Sequence, residues 1–150
     1  NPNECDDQKL RKEIIKINSA DIIYSPNGME IQEKRGKWGE ELLYQWLNLH
    51  GIKYRTEVDL RGIHPKTPDA LLDKPIKLNG IDTHWVESKA SFGDEVELRK
   101  NVRRQLKPYT ELFGTGAVVY WFGYIEGIEP PEGITIYGRE FSEMMPILSR

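Results

Sequence analysis

Two short runs of sequence, Thr67-Pro68-Asp69 and Glu87-Ser88-Lys89, constrain the fold of this chain more than any other feature. Both lie in β-like stretches, and an Asn79-Gly80 turn between them predicts a hairpin. Because successive side chains of a strand point to opposite faces, Glu87 and Lys89 project from the same face, about 7 Å apart. Asp69 lies on the stretch that pairs beside them. Two carboxylates and one ammonium on one sheet face suit a hard divalent cation with a phosphate next to it.

The longer stretches TPDALL and HWVESKASFGDE carry a family resemblance. Pro68-Asp69 and Glu87-Ser88-Lys89 resemble the PD-(D/E)xK nuclease superfamily, and the longer stretches are similar to its TPD-motif family, from about Trp38 to about Tyr124. The resemblance implies a mixed β-sheet flanked by helices, with a restriction-endonuclease-like core. It also implies a metal-dependent nuclease acting on DNA, branched or junction DNA included. Eukaryotic members act with a large partner protein, so a protein partner is a further expectation.

The predicted metal ligands are Asp69, Glu87 and the main-chain carbonyl of Ser88. Mg²⁺ or Mn²⁺ is the expected cofactor, because Mg²⁺ takes carboxylate and carbonyl oxygens and retains several waters. Lys89 would stabilise negative charge that develops on phosphorus. The alternatives for Lys89 are a structural ion pair with Glu87, or a neutral amine that acts as a base.

Helical residues complete the predicted site. Glu40 lies at the border of the apolar face of the helix predicted for residues 31–50. The resemblance implies a glutamate at this position that binds the metal directly or through water. The alternative is that Glu40 is an ordinary surface glutamate. Gln105 and Tyr109 repeat the Q-x-x-x-Y spacing of RecB-like relatives, in which both side chains face the site. Pro108 lies between them and is expected to kink or restart the helix, which leaves their shared direction open.

Two basic clusters flank this site and are the predicted nucleic-acid contacts, together with Tyr109. The net charge of −3 argues against broad electrostatic binding of nucleic acid, but it averages over these clusters. From the sequence, phosphate contacts and solvated helix faces explain them equally well. The clusters comprise Lys34, Arg35 and Lys37 before the site, and Arg99, Arg103, Arg104 and Lys107 after it.

The chain of 150 residues is long enough for one domain with its own core. We expect an N-terminal helical segment at residues 1–30 and a nuclease-like domain at residues 31–150. Helices are predicted at residues 6–24, 31–50 and 140–148, with another that Asp94 and Glu95 open. The predicted turn is at residues 25–28, and the predicted strands are at residues 54–60, 67–72, 84–90, 117–125 and 134–137.

The composition limits the cellular location that we expect for the protein. No apolar run approaches the length of a membrane span, so we expect no membrane association. Cys5 is the only cysteine, which favours an intracellular, reducing compartment: the cytoplasm in an archaeon, the nucleus or cytoplasm in a eukaryote. The chain begins with Asn1, and we expect that it is a fragment of a longer protein. The sequence leaves monomer and homodimer open.

The main alternative to a nuclease is a non-catalytic module that binds nucleic acid or protein on the same fold. The complete set of two acids and one lysine favours the enzyme. A glycosidase with paired carboxylates is a third alternative, but Lys89 has no obvious role in one.

Overall fold

A computed structural model describes residues 26–148 of the chain, with side chains from residue 30 onward. The helix predicted for residues 6–24 lies outside the described residues. The described part forms a mixed six-stranded sheet with helices packed on both faces, which confirms the predicted α/β class. The helices are α1 (Pro26–Leu49), α2 (Glu57–Leu60), α3 (Glu95–Asn101), a π-helical segment (Val102–Leu106), α4 (Lys107–Phe113) and a 3-10 helix (Arg139–Glu143).

The sheet combines antiparallel and parallel pairing. The strand order is β1-β2-β3-β4-β5, with β6 beside β2. Pairing is antiparallel among β1, β2 and β3, and parallel among β3, β4 and β5. The carboxyl ends of the three parallel strands therefore meet at one edge of the sheet. The strands are β1 (Tyr54–Arg55), β2 (Ala70–Leu78), β3 (Ile81–Lys89), β4 (Gly116–Tyr120), β5 (Ile134–Tyr137) and β6 (Ile147–Leu148).

Alternating side chains of the central strands build two hydrophobic cores. Val86 and Val119 face the core under α1, whereas Trp85 and Val118 face the core under α3 and α4. A strand that is buried on both faces has apolar residues at nearly every position, because neither face contacts water. All four tryptophans are buried, which confirms their prediction as core residues: Trp38, Trp46, Trp85 and Trp121.

Helix α1 confirms the predicted periodicity but not its predicted start. Gly51, just beyond the end of α1, has a φ of 68°, the left-handed conformation that glycine favours at this position. The turn predicted at residues 25–28 is wrong from Pro26 on, because proline suits the first position of a helix. Glu41 is exposed and Glu40 half-buried, as the apolar face predicts. Helical periodicity predicts Leu49 on the apolar face as well, but Leu49 is 78% exposed.

Other boundaries differ from those predicted. The strand predicted at residues 54–60 ends at Arg55, because Thr56 and Asp59 form a capping box that starts α2. The strand predicted at residues 117–125 ends at Tyr120, and the turn that follows contains Gly123 with a φ of 91°.

The strand predicted at residues 67–72 begins at Ala70 and extends to Leu78. The helix predicted at residues 140–148 is wrong: a 3-10 helix ends at Glu143, and Pro146 precedes β6. None of the helices in residues 26–148 has the length and apolar character of a membrane span.

Candidate active site

The two predicted acids interlock across the β2–β3 hairpin. The pairing of Ala70 with Val86 places Asp69 beside Glu87, at the start of β2. The main-chain amide of Asp69 donates to Glu87 Oε1 at 2.9 Å. In return, the Ser88 amide donates to Asp69 Oδ2 at 2.8 Å. Each carboxylate is therefore fixed by a main-chain amide of the opposite strand.

Pro68 explains why these side chains replace the strand ladder at this point. Continuing the register of Ala70 and Val86 places Pro68 opposite Ser88. The N–H and C=O of a strand residue point to the same side, so the Ser88 carbonyl faces the start of β2, as its amide does. Proline has no N–H to donate to that carbonyl. Pro68 therefore cannot supply a ladder hydrogen bond to the Ser88 carbonyl.

Lys89 lies between one acid and one amide. Its Nζ is 3.4 Å from Glu87 Oε2 and donates to Gln105 Oε1. The Glu87 side chain is 4% exposed and that of Lys89 19% exposed, so the ion pair is shielded but reachable from solvent. The structure brings together the two acids and the lysine that the sequence singled out, and the ion pair weighed as an alternative is present as well.

Burial makes the negative charges of this pair costly. It raises the pKa of Asp69 well above its usual value, and the neighbouring charge of Glu87 raises it further. Burial also raises the pKa of Glu87, while Lys89 and the Asp69 amide partly offset this. One ammonium thus faces two crowded carboxylates. An additional positive charge between them would relieve the repulsion.

Helix α1 contributes Glu40 and Tyr44 to the same region. Burial raises the pKa of Glu40, and the charge of Asp69 is the next largest cause, which places Glu40 in the field of the acids. Tyr44, one turn later, donates its hydroxyl to the main-chain oxygen of Asp69 at 3.0 Å and stacks on Tyr54. Sequence reasoning missed Tyr44, although its spacing of four residues from Glu40 puts both on one helix face.

The π-helical segment settles the direction of Gln105 and Tyr109. Gln105 contacts Lys89, and the Tyr109 hydroxyl donates to the Thr67 main-chain oxygen at 3.0 Å, so both face the hairpin. Pro108 does not break the helix, because the wider π turn accommodates it between the π segment and α4. Lys66 donates to the Arg104 carbonyl at 3.1 Å, the carbonyl that an α-helix would satisfy with an amide at position 108.

Trp121 and Gly39 position Ser88 from the other face of the sheet. The Trp121 indole donates to Ser88 Oγ at 2.8 Å, and the Trp121 amide donates to the Lys89 carbonyl at 3.0 Å. A Cβ at Gly39 would lie 2.9 Å from both Ser88 Oγ and Trp121 Cδ1. Glycine at position 39 thus lets α1 approach the strand. No sequence motif identified Trp121 as part of this arrangement.

The predicted nucleic-acid residues fall on different surfaces. Three of them lie on α1: Lys34, Arg35 and Lys37. The charge of Lys37 partly offsets the increase in the pKa of Glu40 that burial causes. On the other side, Arg99 pairs with Glu95. Arg103 and Lys107 line a cavity of about 860 Å³ outside the helices, and Arg104 is exposed. Contact of these residues with nucleic acid stays a prediction.

The donor set suits a divalent ion with few protein ligands. Among residues 26–148, no group of three His, Cys, Asp or Glu side chains is arranged to hold a metal ion. Asp69 and Glu87 provide two carboxylates, and Ser88 provides a carbonyl. Mg²⁺ is usually bound by one or two carboxylates together with waters and substrate phosphate. The residues present therefore fit the expected ion, while Glu40 as a ligand stays a prediction.

Comparison with known sequences defines the class first. Residues 6–140 match the family described as "Protein of unknown function TPD sequence-motif". The match covers most of the chain, so the chain belongs to the TPD-motif family, as its resemblance implied.

Several proteins that carry a name are similar in sequence to most of this chain. Proteins named CDAN1-interacting nuclease 1 are 40% identical over 100 residues in Xenopus laevis, 36% over 124 in Danio rerio and 33% over 129 in Homo sapiens. These matches cover 66%, 82% and 85% of this chain, but only 33%, 41% and 46% of the relatives. The chain thus spans less than half the length of the relatives it matches. No solved structure matches it.

Proposed function

We propose that this chain is a metal-dependent nuclease that hydrolyses phosphodiester bonds of DNA. The observation that carries the proposal is the buried, interlocked pair of Asp69 and Glu87 with Lys89 at 3.4 Å from Glu87. Relatives similar over most of this chain are named as nucleases, which supports the same class of activity.

The acids would hold Mg²⁺ or Mn²⁺ through Asp69, Glu87 and the Ser88 carbonyl. When bound, such an ion lowers the pKa of a water and offsets the charge of the phosphate. The two main-chain amides keep the carboxylates in place before an ion binds, so little reorganisation is needed. Tyr44 holds the Asp69 main chain, and Glu40 would orient a water near the acids.

Lys89 would stabilise the charge that builds up on the phosphate oxygens. Its Nζ is held between Glu87 and Gln105 and keeps access to solvent, the direction from which a substrate enters. Because Nζ lies 3.4 Å from Glu87 Oε2 and donates to Gln105, electrostatic stabilisation is the role we assign to Lys89 rather than proton abstraction. Gln105 would fix the Lys89 side chain and is a positioning residue.

The sheet supports a restriction-endonuclease-like core of the PD-(D/E)xK kind. An antiparallel hairpin carries the acids, and helices lead from β3 to a parallel neighbour, β4. By resemblance to that superfamily, the products would be a 5′-phosphate and a 3′-hydroxyl, and branched DNA would be among the substrates. This extension rests on fold analogy and is tested by the substrate series below.

A protein partner is the second proposal. The relatives' printed name describes an interaction with CDAN1, and this chain is similar to less than half of each relative. We infer that this chain also works with a protein partner. A module that only binds nucleic acid or protein would retain DNA without cutting it, whether or not a metal is present.

Cleavage of labelled DNA tests the activity. Linear, flapped and four-way-junction DNA are incubated with Mg²⁺ or Mn²⁺, with EDTA as the metal-free control. Lys89→Ala should lower the rate by about 100- to 1000-fold, as loss of one electrostatic donor does in other enzymes. Lys74→Ala removes an exposed ammonium on β2 and should keep the wild-type rate. Equal cleavage by Lys89→Ala and wild type would refute the proposal.

A further inference from the structure

A second cluster of cationic and aromatic side chains lies at the same sheet edge as the candidate active site. Lys89 ends β3, Phe122 follows the end of β4, and Arg139 follows the end of β5. These strands are parallel, so the three residues leave the sheet at one edge. Arg35 lies one turn before Gly39, where α1 packs against Ser88 and Trp121.

Two guanidinium groups share one aromatic ring in this cluster. The Arg139 guanidinium carbon is 5.6 Å from the centre of the Phe122 ring, and that of Arg35 is 5.5 Å from the same centre. Arg139 also lies 5.4 Å from the Trp38 ring. Among the ion pairs of residues 26–148, none involves either arginine. Aromatic faces attract cations but do not neutralise them, so both arginines keep a positive charge beside this ring.

Two buried hydrogen-bond donors without partners lie in the same cluster. Arg139 Nη2 and Trp38 Nε1 are buried without a hydrogen-bond partner, whereas Arg139 Nε donates to the Trp121 carbonyl at 3.1 Å. Buried donors without partners are rare in folded proteins and call for an explanation. The other three indoles donate to acceptors within the protein at 3.1, 2.8 and 2.8 Å: Trp46, Trp85 and Trp121.

We propose that Arg35 and Arg139 bind a backbone phosphate of DNA next to the bond that is cleaved. Guanidinium groups match phosphate oxygens in both charge and geometry. Arg35 lies five residues before Glu40 on α1, about 7.5 Å along the helix axis, so it is near the acids but separate from them. The inference rests on the proposed nuclease function and adds Arg139 to the contacts, a residue that no sequence pattern identified.

The acidic side chains nearby restrict where the phosphate binds. Glu126 and Glu140 line a cavity of about 370 Å³ beside Arg139. Carboxylates repel a phosphate, so the anion approaches from the side of Phe122 where Arg35 lies. Both arginines are half-buried as whole residues.

The salt dependence of DNA binding tests the subsite. The affinity of a fluorescent single-stranded oligonucleotide is measured in EDTA over a range of salt concentrations, so that no cleavage occurs. Arg35→Gln and Arg139→Gln should each reduce the slope of log affinity against log salt, by at most about 0.7, the value for complete loss of the one phosphate contact that they share. Lys74→Gln removes a positive charge away from the site and should leave the slope unchanged.

The tryptophan indoles provide a readout on the unaltered protein. Addition of the oligonucleotide should shift the Trp38 indole N–H resonance, while those of Trp46 and Trp85 stay in place because they donate inside the protein. If the wild type binds DNA but both arginine variants keep its slope and the Trp38 signal does not move, the subsite is overturned and the nuclease proposal stands. If the wild type neither binds nor cuts DNA, both fall.

Discussion

Two glycines on helix α1 form a matched pair for testing how the helix positions Ser88. Both lie within the helix, but a Cβ at Gly36 would meet nothing within 4 Å. A Cβ at Gly39 would lie 2.9 Å from Ser88 Oγ and from Trp121 Cδ1. The two alanine variants therefore share the same gain in helix propensity and differ in packing alone.

The expected magnitudes follow from these two effects. Alanine is favoured over glycine inside a helix by about 0.8–1.0 kcal/mol, so Gly36→Ala should raise the free energy of unfolding by that amount. Overpacking of a well-packed site costs about 1–3 kcal/mol, which offsets or exceeds the helix gain in Gly39→Ala. We expect Gly39→Ala to be less stable than Gly36→Ala by about 1–3 kcal/mol.

Urea denaturation of both variants measures the difference, and DNA cleavage measures its functional effect. Gly39→Ala must push Ser88 or Trp121 away and disturb their 2.8 Å hydrogen bond, so cleavage should slow. Gly36→Ala should cleave at the wild-type rate. If Gly39→Ala proves as stable and as active as Gly36→Ala, the close approach of α1 to the site is refuted.

Three further outcomes test the acids and their support. The pKa of Asp69 is raised above its usual 3.8, so its contribution to stability is lost as pH rises above that value. Urea denaturation without divalent ions should therefore show Asp69→Asn gaining stability relative to wild type as pH rises above about 4, and a constant difference would contradict this. Mg²⁺ at about 100 times its dissociation constant should add about 2.7 kcal/mol to unfolding of the wild type, and thermal scans should show little of this gain in Asp69→Asn. Tyr44→Phe loses the hydrogen bond to the Asp69 carbonyl but keeps the Tyr54 stack, so it should destabilise by about 0.5–1.5 kcal/mol in urea; wild-type stability would show that the bond contributes nothing.

Local chemistry made the hairpin predictable. Asn79 and Gly80 have φ values of 49° and 78°, the conformation for which such turn residues are favoured. Asp94 accepts the Glu97 amide at 2.8 Å and starts α3, as its position before an acidic first turn indicated. In both cases a residue and its near neighbours in sequence decide the structure.

Tertiary packing explains the sequence predictions that were wrong and the site residues that the sequence did not reveal. Pro146 and pairing with β2 override the helical composition of residues 140–148. The π-helical segment that turns Gln105 toward Lys89 has no sequence signature. Arg139 joins the cluster near the site only because β5 ends beside β4. Thr56 and Asp59 are different, since the three-residue spacing of their capping box is a local feature of the sequence.

The reciprocal hydrogen bonds of Asp69 and Glu87 can form only when the β2–β3 hairpin closes, so closure of the hairpin brings the two carboxylates together. The two acids are separated by 18 positions, and each bond depends on the register of Ala70 with Val86. A slip of one residue would turn the acids to opposite faces. The bond of Lys89 with Gln105 is of a different kind, because it joins β3 to the π-helical segment and does not depend on the pairing of β2 with β3. The hairpin is therefore a segment that carries both carboxylate donors within one local unit of the chain.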